Sequence, residues 1–468
     1  MGITFGTSGY RGIIGHTFTK TEVTQLAQAI AAWAGSQSGH QVAIGYDPRA
    51  GNTYDDMVGM MVEPFLERGI SVLGSDRPIP TPVLAHTVKH HQLIAGIMLS
   101  ASHNPPQYNG IKLNPFPGGP ASVHVTNQIE ALLIAKPSVA VNVPKPGVLT
   151  CTNLIDPYVA RMVDWITYQY SPPTRNWENL PPILVDARHG TAGAVWQQWA
   201  ATTGQSIIID HATPHPTFQG LSPNPTSSEA VDYVAKRVLE TGVAFGVAHD
   251  PDADRHMIVD QQGRLISPEM VACLMYEAMG GHVHGMATTV ASSRLIQRMA
   301  RACGLSLTET PVGFKWFTPA FEQANATQTV TIGVESSGGI SQSNYLYEKC
   351  GFLPAIWMSI LLSQSSHSLG DWVDMAWEKW GKSEMVELAL TIDSDSNLLS
   401  LLKSGWFDHW NQSTVTKMDG IKWEWDDRWV IVRPSGTEPV VRIMAEAPTL
   451  NEAKDLGQSL LQRFERNG

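Results

Sequence analysis

Hydrophobic and polar positions along this 468-residue chain switch repeatedly between helical and strand spacing. In the first section, Thr19 and Glu22 have the spacing of a capping box, and apolar residues at helical intervals follow them. Further helices are predicted over residues 55–68 and after Pro82. Apolar runs typical of buried strands lie at residues 42–46, 71–74 and 93–99. This alternation predicts a parallel or mixed sheet with helices on its faces.

The same alternation begins again near Asp156 and a third time after residues 261–263. The second section has predicted strands at residues 183–186, 206–209 and 243–248, and predicted helices at residues 192–203 and 229–240. The third has predicted strands at residues 286–291, 306–310 and 329–334. Each section ends a strand in a polar or Gly-rich loop, where open α/β sheets place ligands. We therefore predict three similar domains.

The last section has a different pattern. Residues 421–425 alternate between apolar and polar positions, and a turn then leads to residues 429–432, which predicts a hairpin. A further strand is predicted at residues 440–447, and a second capping box opens a helix that runs to about Arg466. A chain of this length exceeds one ordinary core. The predicted domains are residues 1–152, 153–262 and 263–372, all α/β, and a smaller α+β unit at residues 373–468.

Composition excludes several classes of protein. The net charge of −11 argues against nucleic-acid binding, which needs a basic surface. No apolar run approaches the roughly 20 residues that span a membrane, and the N-terminus has neither the basic region nor the apolar core of a secretory signal, so a cytoplasmic protein is expected. The four cysteines lack metal-site and disulfide spacing, which predicts buried free thiols.

A polar segment at residues 100–112 directly follows the apolar run that ends at residue 99. It holds the hydroxyl of Ser102, the imidazole of His103 and the ammonium of Lys112. A hydroxyl at the end of a buried strand, with such neighbours, is suited to group transfer. Two prolines, an asparagine and a glycine predict that this segment is neither helix nor strand.

Three carboxylates follow the apolar run at residues 243–248. Asp250, Asp252 and Asp254 alternate along the chain, and Arg255 comes directly after them. Packed together they would repel one another, so the pattern predicts a cation, and oxygen ligands without His or Cys suit Mg²⁺. The alternative is a solvated acidic turn.

Two later loops carry polar groups suited to a phosphorylated sugar. Glu335 and Ser337 follow a strand on a Gly-rich turn and are able to hold neighbouring sugar hydroxyls, although a plain strand-to-loop turn would look similar. Residues 433–439 offer a guanidinium, two hydroxyls and backbone N–H groups, which match a phosphate dianion, and Arg442 follows in the next strand. An ordinary hairpin loop is the alternative.

Together and in this order, the four segments resemble those of the α-D-phosphohexomutases, which move a phosphoryl group between the 1 and 6 positions of a hexose. Residues 100–112 are similar to the phosphoserine loop of that family, and residues 250–255 are similar to its metal loop, with Pro251 where glycine is common. The resemblance covers essentially the whole chain. It implies four domains around a central cleft, the first three sharing one α/β topology.

The resemblance also implies roles for individual residues. Ser102 would carry the phosphoryl group and, with the three Asp residues, hold one Mg²⁺. Arg11 would face the transferring phosphoryl group, Lys112 or Lys349 would accept the hydroxyl proton, and His103 would be a local hydrogen-bond partner. Arg49 would bind substrate or act as a structural ion-pair residue. The predicted substrate-binding residues are Arg49, Arg255, Gly313, Lys315, Glu335, Ser337, Arg433, Ser435, Gly436, Thr437 and Arg442.

Two departures from the family pattern bear on the substrate. Residues 311–316 resemble the branch that acts on glucose phosphates, but Gly339 stands where other branches often have His. Lys349 lies in a Glu-Lys-Cys-Gly segment in which Cys350 replaces the Asp of that branch, which puts the role of Lys349 in doubt.

The resemblance predicts interconversion of glucose 1-phosphate and glucose 6-phosphate through a glucose 1,6-bisphosphate intermediate. The alternatives within the family are mutases for glucosamine or mannose phosphates. Outside it, the alternatives are a sugar-phosphate binding protein without turnover and a serine-dependent phosphatase. The expected partner is a small hexose phosphate, without nucleic acid or membrane, and the sequence leaves the oligomeric state open.

Overall fold

The computed structural model describes residues 3–6, 9–135, 145–170, 177–391, 410, 412–434 and 440–465, and these form four sheets with helices around them. In domain 1 the Thr19 capping box is present, with Thr19 N donating to Glu22 Oε2 at 3.0 Å. The strands are β1 Tyr10–Ile13, β2 Gln41–Tyr46, β3 Ser71–Ser75, β4 Ala95–Leu99, β5 Tyr108–Pro115 and β6 Leu149–Thr152. The helices are α1 Lys20–Gly35, α2 Met57–Glu67, α3 Thr81–His91 and α4 Val123–Ala135. The sheet order is β1-β5-β4-β2-β3-β6.

Domain 2 has a smaller mixed sheet. Its strands are β7 Ile183–Asp186, β8 Ile207–Asp210, β9 Phe245–His249, β10 His256–Asp260 and β11 Leu265–Ile266. Its helices are α5 Ile155–Tyr170, α6 Ala192–Thr203 and α7 Ser228–Thr241. The sheet order is β11-β10-β9-β7-β8.

Domain 3 has a four-stranded sheet of order β13-β12-β14-β15. Its strands are β12 Gly285–Thr289, β13 Ser306–Thr310, β14 Thr331–Val334 and β15 Ile340–Gln342. Its helices are α8 Pro268–Ala278, α9 Arg294–Cys303, α10 Thr318–Ala326, α11 Phe352–Ser363 and α12 Leu369–Trp380.

Domain 4 is smaller, and its sheet is antiparallel, with order β16-β20-β19-β18-β17. Its strands are β16 Glu384–Thr391, β17 Thr414–Thr416, β18 Ile421–Glu424, β19 Trp429–Pro434 and β20 Val440–Ala447. Helix α13, Leu450–Glu465, packs on it. The predicted hairpin is confirmed, with Glu424 opposite Trp429.

The first three sheets repeat one arrangement. A central strand, β2, β7 or β12, lies between two parallel neighbours, and the neighbour β4, β9 or β14 also pairs antiparallel with the strand that follows it. The connections after β4, β9 and β14 are the three loops that the sequence singled out in these domains. The predicted similarity of the three domains is therefore confirmed, and it places the three loops at equivalent points.

The loop prediction was wrong for residues 108–112. These residues begin β5, which pairs antiparallel with both β1 and β4. Gly110 permits this close pairing, because a Cβ atom there would lie 2.6 Å from Tyr10 O and 2.7 Å from Ser100 O. Lys112 consequently extends from a strand and is held more rigidly than a loop residue would be.

Apolar packing joins domains 1 to 3 more extensively than it joins domain 4 to them. One continuous core contains side chains from all three, among them Val83 on α3, Tyr158 on α5 and Phe352 on α11. Domain 4 has a separate core, and it meets domain 3 in a small cluster that includes Ala291 and Trp429.

Two further expectations concern the surface and the thiols. None of the helices within the described ranges is long and apolar enough to cross a membrane. The expectation of buried thiols is confirmed for Cys273 and Cys350. It was wrong for Cys151, which is exposed, and Cys303 is only partly buried.

Candidate functional site

Ser102 lies just beyond β4, where its hydroxyl faces domain 2. Its Oγ donates to Asp250 Oδ2 at 2.6 Å, although the two residues are 148 positions apart. The residue has a left-handed φ of 52°, which non-glycine residues rarely adopt, and Ser100 Oγ supports this turn by accepting from Ser102 N at 2.8 Å. Ser102 is only 1% exposed. The turn therefore aims the predicted nucleophile directly at the predicted metal loop.

The Arg49 side chain holds the Ser102 turn through hydrogen bonds. Its guanidinium donates to four backbone carbonyl oxygens of the segment at residues 102–108 and to Asp47 Oδ2 at 3.0 Å. A guanidinium has five N–H groups, so these five contacts use all of them. The ring of Phe218, from domain 2, covers it at 5.0 Å. These contacts correspond to the structural role that the sequence left open for Arg49.

Asp250, Asp252 and Asp254 lie on the connection between β9 and β10, and all three are buried. One oxygen of each lies within 4.8 Å of the others. The turn is made possible by Ala253, whose φ of 48° is left-handed. Burial in the first place, and then Asp254 and Asp252, raise the pKa of Asp250 to about 8. The three carboxylates thus form the mutually repelling group that the sequence predicted.

Lysines from two other domains partly neutralise this group. Lys112 Nζ contacts Asp252 Oδ2 and lies 2.7 Å from Asp254 Oδ2. Lys349 Nζ lies 3.3 Å from the same Asp254 oxygen. Burial alone would lower the pKa of each lysine, but the surrounding carboxylates raise both above their ordinary values. Domains 1, 2 and 3 therefore each contribute a charged side chain to the ion-pair cluster at Asp254 Oδ2.

The carboxylates fit a divalent cation. Asp252 Oδ1 and Asp254 Oδ1 are buried and have no hydrogen-bond partner. Asp254 Oδ1 has one long ion-pair contact, to Arg255 Nε at 3.9 Å. Buried carboxylate oxygens that accept no hydrogen bond are costly, and a hard cation that prefers oxygen ligands removes that cost. Asp250, Asp252, Asp254 and Ser102 are the residues that would hold Mg²⁺ here.

His103 and Arg11 lie beside the Ser102 turn. His103 Nδ1 is 3.4 Å from Ser102 Oγ, and burial, followed by the charges of Arg255 and Arg11, lowers the pKa of His103 well below its ordinary value. Arg11 donates to Asn104 Oδ1 at 2.6 Å. Burial, with Arg255 nearby, lowers the pKa of Arg11 to about 10, so it remains a cation at neutral pH. The turn therefore has a neutral imidazole and fixed positive charge next to the hydroxyl.

The sugar loop, residues 335–339, is joined to the metal loop through backbone contacts. The backbones of Arg255 and Gly339 pair as an isolated antiparallel β-bridge, and His256 N donates to Gly338 O at 3.1 Å. Gly338 has a φ of 90°, and a Cβ atom there would lie 2.4 Å from His256 O. Glu335 is buried, and this burial raises its pKa, while Ser337 is partly exposed. The predicted sugar-binding pair thus lies directly beside the Asp residues.

The space above Gly339 is filled by Lys349. A Cβ atom at residue 339 would lie 2.3 Å from Lys349 Cδ and 3.2 Å from Glu335 Oε2. The absence of a side chain at this position is therefore what allows Lys349 to reach Asp254. Cys350, the other departure, is turned away from the site, with its Sγ 3.3 Å from Tyr158 OH in the core.

The predicted substrate groups of domains 3 and 4 meet at Asp419. Its Oδ2 accepts from Val312 N at 3.0 Å, next to Gly313, and from Arg433 Nε at 3.1 Å. Lys315 is half-buried against the Trp316 ring, and burial lowers its pKa. Arg442 pairs with Glu387. The remaining predicted phosphate-binding residues, Ser435, Gly436 and Thr437, lie outside the described residues.

Sequence reasoning missed several residues that shape the site. Thr81 Oγ1 contacts Asp252 Oδ2, and Thr81 N donates to Asp252 O at 2.8 Å. Asn114 Nδ2 donates to Glu348 Oε2 at 2.6 Å, and Glu348 Oε1 lies 3.2 Å from Lys349 Nζ. Thr81 and Asn114 are far in sequence from the carboxylates they contact and belong to no motif, so no pattern along the chain could have indicated them. Glu348, by contrast, directly precedes Lys349 in the Glu-Lys-Cys-Gly segment.

Comparisons with known proteins cover all four domains. Sequence models described as the phosphoglucomutase/phosphomannomutase α/β/α domains I, II and III match residues 2–139, 156–263 and 267–380, and the C-terminal domain of that family matches residues 416–462. A phosphoglucomutase/phosphomannomutase of Thermococcus kodakarensis is 26% identical, over 99% of both chains. A phosphoglucosamine/phosphogalactosamine mutase of Sulfurisphaera tokodaii is 28% identical, over 98% of both. The crystal structure of a Thermus thermophilus protein, provisionally named a phosphomannomutase, is 25% identical, covers 99% of both chains and has a TM-score of 0.82.

Proposed function

Because this chain belongs to the phosphoglucomutase/phosphomannomutase family, we propose that it interconverts glucose 1-phosphate and glucose 6-phosphate through a phosphoserine at residue 102. Membership of the family makes it a phosphohexomutase, an isomerase-class phosphotransferase. The observation that carries the proposal is the 2.6 Å contact between Ser102 Oγ and Asp250 Oδ2, which joins a buried hydroxyl to three buried carboxylates. This arrangement supports phosphoryl transfer at Ser102.

In the proposed reaction, the phosphoryl group of Ser102 passes to the free hydroxyl of bound glucose 1-phosphate. The bond from phosphorus to Ser102 Oγ breaks, a bond from phosphorus to the sugar oxygen forms, and the hydroxyl proton passes to the neutral amine of Lys112 or Lys349. Magnesium on the carboxylates would favour that neutral form, because it would offset the negative charge that raises the pKa of both lysines. Both lysines lie against Asp254 Oδ2, Lys112 from domain 1 and Lys349 from domain 3. Arg11 and Arg255 supply fixed positive charge beside the serine, which stabilises charge on the transferring oxygens.

A magnesium ion on the three carboxylates and an oxygen of phosphorylated Ser102 would supply further neutralisation of that charge. Glucose 1,6-bisphosphate is the proposed intermediate. This bisphosphate must reorient in the site so that Ser102 recovers the other phosphate. One site must therefore hold the sugar in two orientations. Glu335 and Ser337 would hold hydroxyls in both, and Arg433 and Arg442 would hold whichever phosphate is not reacting.

The charge beside the sugar loop supports glucose as the substrate. Glu335 Oε2 and Lys349 both lie against Gly339, and the Lys349 ammonium also rests 5.5 Å from the centre of the Phe314 ring. An amino sugar carries its own ammonium, which the Lys349 ammonium would repel. Glu335 offsets this repulsion only when it is ionised, and burial raises its pKa and so favours its neutral form. The name of the Sulfurisphaera tokodaii relative favours glucosamine phosphate as the second candidate.

A substrate panel tests the proposed function. We expect the highest kcat/KM for glucose 1-phosphate, measured with Mg²⁺ against glucosamine 1-phosphate and mannose 1-phosphate in coupled assays. Discrimination should reach about tenfold or more, because a site that positions a charged group against one substituent rejects the other. A clear preference for glucosamine 1-phosphate would overturn the glucose assignment. Net release of inorganic phosphate at the rate of substrate loss would instead indicate a phosphatase.

Gly339→Ala should impair catalysis without unfolding the protein. The new methyl group would displace Lys349 from its path to Asp254, and a displaced catalytic group costs about 10- to 100-fold in kcat/KM. The matched control is Gly35→Ala in α1, where a Cβ atom meets no neighbour within 4 Å. In a Lys349→Met background, Gly339→Ala should have no further effect. A full additional loss there would refute the role given to Lys349.

A further inference from the structure

Two buried glutamates lie outside the reaction site, one in domain 3 and one in domain 4. Glu269 is on α8 and is 1% exposed, and Glu446 is on β20 and is fully buried. Carboxylates are rarely buried unless they accept hydrogen bonds or pair with a cation. The groups that donate hydrogen bonds to Glu269 and Glu446 therefore indicate which segments these glutamates hold in place.

Glu269 connects the sugar loop to the start of α9. Its Oε1 accepts from Ser336 Oγ at 2.6 Å and from Ser293 N at 3.2 Å. Ser336 lies between Glu335 and Ser337, the two residues proposed to hold the sugar, and its Oγ also lies 3.3 Å from Ala291 O. The conformation of the sugar loop thus depends on a carboxylate that itself touches the start of α9.

Glu446 connects the same helix end to domain 4. Its Oε1 accepts from Ser293 Oγ at 2.7 Å, and its Oε2 accepts from Arg294 N at 2.9 Å. Ser383 Oγ and Trp429 Nε1 donate to it as well. A helix N-terminus favours negative charge, so this position suits a carboxylate. Ser293 therefore donates to both glutamates and bridges the two domains.

The strand that bears Glu446 also bears a proposed phosphate ligand. Arg442 precedes Glu446 by four positions on β20, and alternate strand residues share a face, so both point to the same side of the sheet. Arg433 pairs directly with Arg442 in the register. Met444, between the two, packs against the cluster of Ala291 and Trp429 at the domain 3 interface. The face that carries the arginines is thus the face that docks on domain 3.

We propose that Ser336, Glu269, Ser293 and Glu446, here called the carboxylate relay, are positioning residues that couple the sugar loop to the arginines that hold the non-reacting phosphate. The inference rests on the proposed function in assigning sugar and phosphate to these loops. Through the relay, ordering of the sugar loop on α9 orders domain 4 at the same helix end. A bound sugar consequently improves the phosphate site, and a bound phosphate improves the sugar site by the same factor.

A double-mutant cycle tests the coupling. The ligand is the hexose 1-phosphate that the wild-type protein turns over fastest in the panel, and its Kd is measured by calorimetry on the full chain in EDTA, where turnover is blocked. We compare the Kd of the double variant, Ser336→Ala with Arg433→Lys, with the Kd expected from the two single variants. The fold-change of the double variant should differ from the product of the two single fold-changes by at least about fivefold. Distant, independent sites are multiplicative to within about twofold. Ser341→Ala, whose hydroxyl donates to Leu346 O at 2.7 Å outside the relay, is the matched control and should multiply with Arg433→Lys.

The relay itself is tested by repeating the cycle in Glu446→Gln. The amide keeps the shape of the carboxylate but presents N–H groups to donors that need an acceptor. In this background, the fold-change in Kd of the double variant should therefore agree with the product of the single fold-changes to within about twofold. If Glu446→Gln does not fold, Glu269→Gln serves the same purpose at the other end. A multiplicative cycle in the wild-type background would overturn the proposal, even if the variants melt at lower temperature. Failure of the glucose assignment appears separately, as preference for another sugar in the panel, and changes only the ligand used.

Discussion

Ser102→Ala is expected to lower kcat by at least about 10⁴-fold, because it removes the oxygen that is proposed to receive and donate the phosphoryl group. Its hydroxyl is buried and donates to Asp250 Oδ2 at 2.6 Å, which places this oxygen directly against the three carboxylates. The KM for glucose 1-phosphate should change much less, since the proposed sugar and distal phosphate ligands are in domains 3 and 4. Coupled assays over a range of substrate concentrations separate the two parameters.

Intact-mass measurement provides the second readout for Ser102. The wild-type protein should gain the mass of one phosphoryl group after exposure to glucose 1,6-bisphosphate, and peptide mapping should locate it on Ser102. Ser122→Ala, an exposed position in the same domain, is the control and should retain both phosphorylation and turnover. Phosphorylation of the Ser102→Ala protein at another serine, with turnover preserved, would show that the nucleophile is misassigned.

Removal of the metal is expected to have the second largest effect. EDTA should abolish turnover and Mg²⁺ should restore it, because three buried carboxylates and the proposed phosphoserine at one point would need a cation between them. Asp252→Asn should weaken Mg²⁺ binding by at least about 100-fold, since even residues that merely orient metal ligands contribute about 10- to 100-fold. Calorimetric titration of the intact protein measures this affinity without turnover.

Thermal unfolding gives an independent check of the metal site. Mg²⁺ at about 100 times its Kd stabilises the folded state by about 2.7 kcal/mol, so the wild-type Tm should rise with added Mg²⁺ while the Tm of Asp252→Asn should not. Asp232→Asn, on the outer helix α7 of the same domain, should behave like the wild type. An equal rise in Tm for Asp252→Asn would place the ion elsewhere.

Local patterns in the chain predicted most of the elements that carry the site. Helix α6 and strands β7 and β13 have the predicted bounds, and the capping box at Thr19 is present, because periodicity and capping depend on neighbours a few residues away. Residues 108–112 were predicted wrongly because their strand conformation comes from pairing with β1, about 100 positions earlier. No turn signal within the segment reports such a partner.

The candidate site shows the same difference between residues that local sequence indicated and residues whose partners lie far along the chain. Ser102, the three Asp residues and Glu335 were all indicated by residue type and position after a strand, and their assigned roles stay predictions for the experiments above. A structural role was left open for Arg49, but its partners could not be identified, because the four carbonyl groups it contacts lie more than 50 positions away. The same is true of Thr81, which supports Asp252 from 171 positions away.

The order of residues along this chain indicated most of the helices and strands that carry the site, and the chemistry at the ends of three strands, since hydrophobic spacing and turn residues act over short distances. Tertiary structure alone decided that Lys112 and Lys349 meet at Asp254, that Gly339 makes room for one of them, and that two buried glutamates join the sugar loop to domain 4. These contacts bring together groups whose separation in space is set by the packing of whole domains, and no pattern within a short segment encodes that packing.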